Sequence, residues 1–165
     1  MLKIPTLSPL FNSAAEVLHE QATQEFWRDL RNSPHEAQAE KLLRRFSGDI
    51  DPSFLGFLGQ YWMLAQLLPL DRTIYDIGCG YAFQSWFFHG HKSYIGIDLN
   101  PVDDRMTFPH TIHIQADACE WLARDPNPGI VDPHFAICSY VPPWGKGNIE
   151  AVVRAHFRHC FVYYP

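Results

Sequence analysis

Two patterns of apolar spacing divide the chain near Asp71. Before it, hydrophobic residues recur at helical intervals: Val17, Leu18, Phe26 and Leu30 fall near one face of a segment that a Ser13/Glu16 capping box opens, which predicts a helix over 14–31. Ser33-Pro34-His35-Glu36 carries a second capping box, with proline at the first helical position, and Asp51-Pro52 opens a third helix. That third segment, 54–68, is apolar almost all round, which predicts burial against a sheet until Pro69 stops it, with Tyr61 and Trp62 read as core. After Asp71 the apolar runs are short and bounded by turn or helical stretches. This pattern predicts strands at 73–77, 93–98, 111–116, 134–140 and 160–164, and helices at 81–89, 118–124 and 147–158. Loops fall at 100–109 and 125–129, where prolines cluster.

Strands alternating with helical segments make βαβ units and a parallel sheet. Right-handed crossovers then favour the strand order 3-2-1-4-5, with a switch point beside the first strand. The expected fold is α/β, a Rossmann-like core over 71–165 with an N-terminal helical extension over 1–70, together one compact domain.

Composition narrows the classes. At 165 residues with 47% hydrophobic content, the chain can bury one sizeable core. A net charge of −5 offers no general attraction to a phosphate backbone, so nucleic acid is not the favoured partner, and Arg44-Arg45 reads as a solvated helix face. No apolar run approaches membrane-spanning length and the N-terminus lacks a basic-flanked apolar leader, so a cytoplasmic protein without a membrane partner is expected. Cys79, Cys119, Cys138 and Cys160 form no CxxC pair, and three of them lie in apolar runs, as buried thiols do. The histidine pairs His89/His91, His110/His113 and His156/His159 match no HExxH spacing, so they read as surface or packing residues and no metal is expected.

The candidate chemistry lies at the strand ends. Asp76-Ile77-Gly78-Cys79-Gly80 closes the first strand with a carboxylate and a glycine-rich turn, where the absence of a Cβ lets backbone approach a ligand closely. Asp98 closes the second strand and offers two acceptor oxygens to the vicinal hydroxyls of a ribose. Paired carboxylates on adjacent strand ends therefore predict a grip on the sugar of a nucleoside-bearing cofactor. Without ligand, Asp76 and its glycines would be a plain strand-to-helix turn, Asp98 a turn cap, and Asp117 the N-cap of the helix at 118.

These motifs resemble those of the class I, Rossmann-like S-adenosylmethionine-dependent methyltransferases. Asp76 to Gly80 looks like their first motif, and Asp98, followed by Leu99, matches their acid at the end of strand two. Gln115-Ala116-Asp117-Ala118 resembles the adenine-side motif, and Ser139-Tyr140-Val141-Pro142-Pro143-Trp144 resembles the Pro-Pro-aromatic motif of amino-methylating members. The resemblance covers about 71–165. It implies S-adenosyl-L-methionine as cofactor, bound by Asp76, Gly78, Cys79, Gly80, Asp98, Leu99, Asp117 and Ala118. An unidentified methyl acceptor would be framed by Ser139, Tyr140, Pro142, Pro143 and Trp144. The family's third glycine is Ala82 here, with Tyr81 and Phe83 crowding the loop, and its Asp or Asn before Pro-Pro is Val141, which accepts no hydrogen bond. Pro165 follows the fifth strand directly, so the family's sixth and seventh strands are expected to be absent.

Two other functions compete with methyl transfer. A non-catalytic S-adenosylmethionine-binding or scaffold domain would account for Val141 and the short sheet. An NAD-dependent dehydrogenase would need glycine at position 83, where Phe83 stands.

Overall fold

The computed structural model describes residues 14–46, 58–124, 134–139 and 149–163. Its contacts group into two units, Met1–Leu68 and Pro69–Pro165.

The first unit contains α1 (Ala14–Leu30), α2 (Glu36–Phe46) and α3 (Leu58–Leu67). In α1, Ala22, Phe26 and Leu30 recur at four-residue spacing and are all buried, with Trp27 set edge-on to Phe26 at 5.1 Å between centroids. Asn32, in the left-handed region at φ 61, ends that helix. The capping of α2 is displaced from the predicted box. Ser33 accepts from the Glu36 amide through its carbonyl and from the His35 amide through Oγ, while the Glu36 carboxylate reaches back to the Asn32 amide at 2.8 Å. The helix therefore begins at Glu36 and leaves Pro34 in the turn. Ser13 and Asp51-Pro52, the other start signals, lie outside the described residues. The extensive partner of α3 is α1, where the Trp62 indole donates to Glu25 at 2.7 Å.

The second unit is a five-stranded, all-parallel sheet of β1 (Thr73–Ile77), β2 (Ser93–Asp98), β3 (Thr111–Gln115), β4 (His134–Ser139) and β5 (Cys160–Tyr163) in the order β3-β2-β1-β4-β5. This is the predicted Rossmann-like α/β arrangement, with each strand within a residue of its expected bounds. β1 is buried along its whole length, as a central parallel strand should be. On one face, Tyr75, Ile77, Ile97, Ala136 and Cys138 pack with Leu122 of α4 (Ala118–Arg124) and with Ile149 and Val153 of α5 (Ile149–His156). The two-residue period puts Ile74, Asp76, Tyr94, Gly96 and Ile137 on the other face, where Phe88 stacks on Tyr94 at 5.8 Å.

One predicted helix has a different form. The segment expected as a helix over 81–89 is a 3-10 helix, Phe83–Phe88, preceded by Ala82 in the left-handed conformation at φ 56. The tighter winding has local causes. Ser85 bonds the Ala82 carbonyl three residues back through both its amide and its hydroxyl, the i to i+3 bond of a 3-10 turn, and Phe83 and Phe88 are both buried. The loop 100–109 also contains a short 3-10 turn, Val102–Asp104.

Candidate functional site

The glycine turn after β1 is built from backbone conformations that side chains disfavour. Gly78 sits at φ 77 and Gly80 at φ 54, so the chain reverses sharply at the carboxyl edge of the sheet. The amides of Gly78 and Cys79 both donate to the Ile97 carbonyl of β2, at 2.8 and 3.3 Å. One turn further, the Gly80 amide donates to Asp98 Oδ2 at 2.8 Å, and the other oxygen of Asp98 accepts from the Asn100 amide at 2.9 Å. Asp98 is half-buried and couples the glycine turn to the turn after β2. Each of its oxygens keeps a second acceptor position. A Cβ placed on Gly80 would meet nothing within 4 Å, so open space lies beside the amide that Asp98 holds.

Asp76 occupies a different level. It is fully buried in the middle of the sheet, in register with Gly96 and Ile137, and its Oδ2 accepts from the Tyr94 hydroxyl and, at 2.8 Å, from Gln84 Nε2. Gln84 also donates to the Cys79 carbonyl at 2.8 Å. The expected side-by-side grip of two carboxylates on one sugar is therefore not what the geometry offers. Asp98 stands at the open edge, while Asp76 holds the turn from beneath through Gln84.

Cys79 points inward. Its Sγ lies where a side chain on Gly96 would go, 2.8 Å from the position of a Cβ there, with His113 Nδ1 3.1 Å from the same point. Burial, reinforced by the nearby Asp76 charge, pushes the Cys79 thiol far above the usual range, so it is no nucleophile at neutral pH. Burial likewise pushes Cys138 up to about 12.

The remaining predicted residues are distributed as follows. Leu99 is 68% exposed beside Asp98, and its carbonyl accepts from Gln115 Nε2 at 3.3 Å. The Ala116 amide donates to the Asp98 carbonyl at 2.9 Å, which brings the end of β3 to that of β2. Asp117 Oδ1 accepts from the Glu120 amide at 3.0 Å and caps α4, whose first residue is the half-buried Ala118. Ser139 ends β4, whereas Tyr140, Val141, Pro142, Pro143 and Trp144 lie outside the described residues.

Four of the paired histidines bond backbone carbonyls. His89 bonds the Trp86 carbonyl, His110 that of Ser85, His113 that of Met106 and His156 that of Val152. Among the described residues no group of three or more His, Cys, Asp or Glu could hold a metal ion, and no helix is long and apolar enough to cross a membrane.

Three residues of the site were not foreseen from the sequence: Gln84, Tyr94 and Arg105. Arg105 is fully buried, and its guanidinium donates to four backbone carbonyls, those of Gly96 (3.1 Å), Ile114 (3.1 Å), Asp98 (2.9 Å) and Asn100. A glutamine inside the aromatic run Phe83–Phe88 was the one available hint, since a polar group buried there must find a partner. Arg105 in a proline-flanked loop gave no hint.

The fold and site define a class: an open parallel α/β sheet of Rossmann-like order, with a glycine turn after the first strand tied to an acid at the end of the second. No protein-family model matches the chain, and no curated protein matches it. Among solved structures it is similar to a protein of Anaeromyxobacter dehalogenans provisionally named a type II methyltransferase, with 19% identity and a TM-score of 0.45 over 60% of this chain and 42% of that one. The chain thus spans about two fifths of that protein's length.

Proposed function

We propose that the chain binds S-adenosyl-L-methionine at the carboxyl edge of β1 to β3 and acts as an S-adenosylmethionine-dependent methyltransferase on an acceptor still to be identified. One observation carries this reading. The Asp98 carboxylate is held by the Gly80 amide at 2.8 Å, next to a glycine whose missing side chain leaves open space. An acid fixed at the end of the second strand suits a pair of ribose hydroxyls, because each of its oxygens keeps an acceptor position. The turn through Gly78 and Gly80 admits a ligand close to the backbone, and Leu99 offers an exposed apolar contact for a flat ring. Asp76 supports the turn through Gln84 and takes no part in direct contact.

The cofactor, when bound, supplies an electrophilic methyl group on a sulfonium. The protein then has to orient the two reactants and exclude water, and such positioning contributes about 7–11 kcal/mol to lowering a barrier. An unreactive Cys79 is compatible with chemistry that needs no covalent nucleophile. On this reading Asp117 and Ala118 lie on the adenine side, residues 139–144 frame the acceptor, and the segment before Pro69 is a helical extension of the core.

Isothermal titration calorimetry with S-adenosylmethionine, S-adenosylhomocysteine and NAD tests the binding. The expected result is binding of both sulfur nucleosides and loss of both in Asp98→Ala, with NAD inert. Binding of NAD alone would overturn the assignment. Cofactor binding without release of S-adenosylhomocysteine across a panel of acceptors would leave a binding domain and remove the transferase.

A further inference from the structure

We propose that Arg105 is a positioning residue for the nucleoside site, holding Asp98 at a fixed distance and angle from the glycine turn before any ligand arrives. The inference rests on the reading that this edge binds a nucleoside. Its basis is where the guanidinium bonds go. β2 and β3 are already paired from Tyr94 to Asp98 against Thr111 to Gln115, so their association needs no extra clamp. Arg105 nonetheless donates to the carbonyls of Asp98 and Asn100, which bracket the turn whose amide fixes Asp98 Oδ1. Its other terminal nitrogen donates to Gly96 on β2 and to Ile114 on β3. One planar, always-charged fork thus fixes the backbone on both sides of the Asp98 side chain, which a single ammonium could not reproduce.

The next residue extends the same device to the glycine turn. The Met106 amide donates to the Tyr81 carbonyl at 2.8 Å, and the Met106 carbonyl accepts from His113 Nε2 at 2.8 Å. Arg105-Met106 therefore joins four parts of the edge: the turn after β1, the end of β2, the turn after it, and β3. Burying a guanidinium completely is a poor way to gain stability, because the desolvation penalty consumes most of the attraction. The same burial is well suited to preorganisation, because a ligand that meets a rigid carboxylate does not have to order it.

The test compares wild type with Arg105→Lys in two assays. In the ligand-free proteins, amide hydrogen exchange at Gly80 and Asn100 should quicken at least tenfold in the variant relative to the Ile137 amide in β4. Equal exchange would overturn the proposal whether or not the edge binds a nucleoside. In calorimetry, the variant should bind S-adenosylhomocysteine at least tenfold more weakly, while its affinity for the 2′-deoxy analogue changes less than threefold. An equal loss for both ligands would make Arg105 merely structural and overturn the proposal, whereas failure of wild type to bind either would sink the underlying site reading alone. Should Arg105→Lys not fold, wild type decides. Protection of Gly80 and Asn100 that is the same within twofold with and without S-adenosylhomocysteine supports a preset edge, and a rise above tenfold on binding overturns it.

Discussion

Gly96→Ala probes how tightly the glycine turn is seated on the sheet. Gly96 lies in β2 between Asp76 of β1 and His113 of β3, and its φ does not require glycine, so alanine costs nothing in backbone strain there. Relieving the extra chain entropy of a strand glycine would favour alanine by about 0.5–1 kcal/mol. Against this, the new methyl would lie 2.8 Å from Cys79 Sγ, 3.1 Å from His113 Nδ1 and 3.3 Å from Cys79 Cβ. The first distance is inside van der Waals contact, and none of the three groups is the loose end of a flexible side chain. Cys79 is part of the turn itself, and His113 is bonded to Met106. Overpacking of this kind costs about 1–3 kcal/mol, so at mid-range the net destabilisation is expected at about 1 kcal/mol.

The double variant Gly96→Ala/Cys79→Ala removes the Sγ contact and should recover part of the loss, giving a coupling of about 1 kcal/mol between the two sites. Urea unfolding followed by tryptophan fluorescence measures all four proteins. A Gly96→Ala protein as stable as wild type, or strictly additive effects in the double variant, would show that the turn is not pressed onto Gly96 as described.

Other outcomes follow from the polar groups beneath the site. Tyr94→Phe removes a donor to the buried Asp76 and should cost about 1–3 kcal/mol in chemical unfolding; no loss would mean that Asp76 does not depend on that hydroxyl. Burial raises the folded-state pKa of Cys138 to about 12 from an ordinary 9.0, so its contribution is fully present below about pH 9 and declines as pH rises toward 12. The slope is about 1.4 kcal/mol per pH unit, and unfolding midpoints of Cys138→Ala should fall less steeply over that range than those of wild type. For His113, burial depresses the folded-state pKa below the ordinary 6.5, opposed by the bond to Met106 and aided by the Arg105 charge. Stability from the neutral ring is therefore present above pH 6.5 and lost as pH falls through the depressed value. An NMR titration midpoint for His113 at or above 6.5 in the folded protein would refute this.

The sheet was legible because its information is one-dimensional. Short apolar runs such as Ile95-Gly96-Ile97, with acids and glycines at their ends, fix strand positions through a period of two, and the intervals between them demand parallel crossovers. The 3-10 helix was not legible, because Gln84, Trp86, Phe87 and Phe88 are compatible with either winding. Tertiary contacts decide it: Phe88 lies on Tyr94, and Ser85 is tied back to Ala82. The contact of α3 with α1 was not legible for a related reason: an all-round apolar helix signals burial without naming the surface that covers it.

The site residues divide along the same line, and the division has a physical cause. The place of Asp98 at the open edge was legible because a carboxylate at a strand end next to a glycine turn is a local pattern, and the structure leaves it half-exposed there. Asp76 belongs to the same local pattern and, by the alternation of strand side chains, to the same face as Asp98, but it pairs with Gly96, two residues deeper in the sheet than Asp98, where β1 is buried along its whole length. A buried carboxylate must be satisfied, and the donors that do so, Tyr94 and Gln84, come from β2 and from the helix after the turn. Satisfying Asp76 thereby fixes Gln84, whose second hydrogen goes to the Cys79 carbonyl in the middle of the turn. The buried acid thus sets the shape of the loop beside the half-exposed one, and on the proposed reading Gln84→Ala should weaken S-adenosylhomocysteine binding in calorimetry without touching any group at the open edge, so unchanged affinity would refute the link.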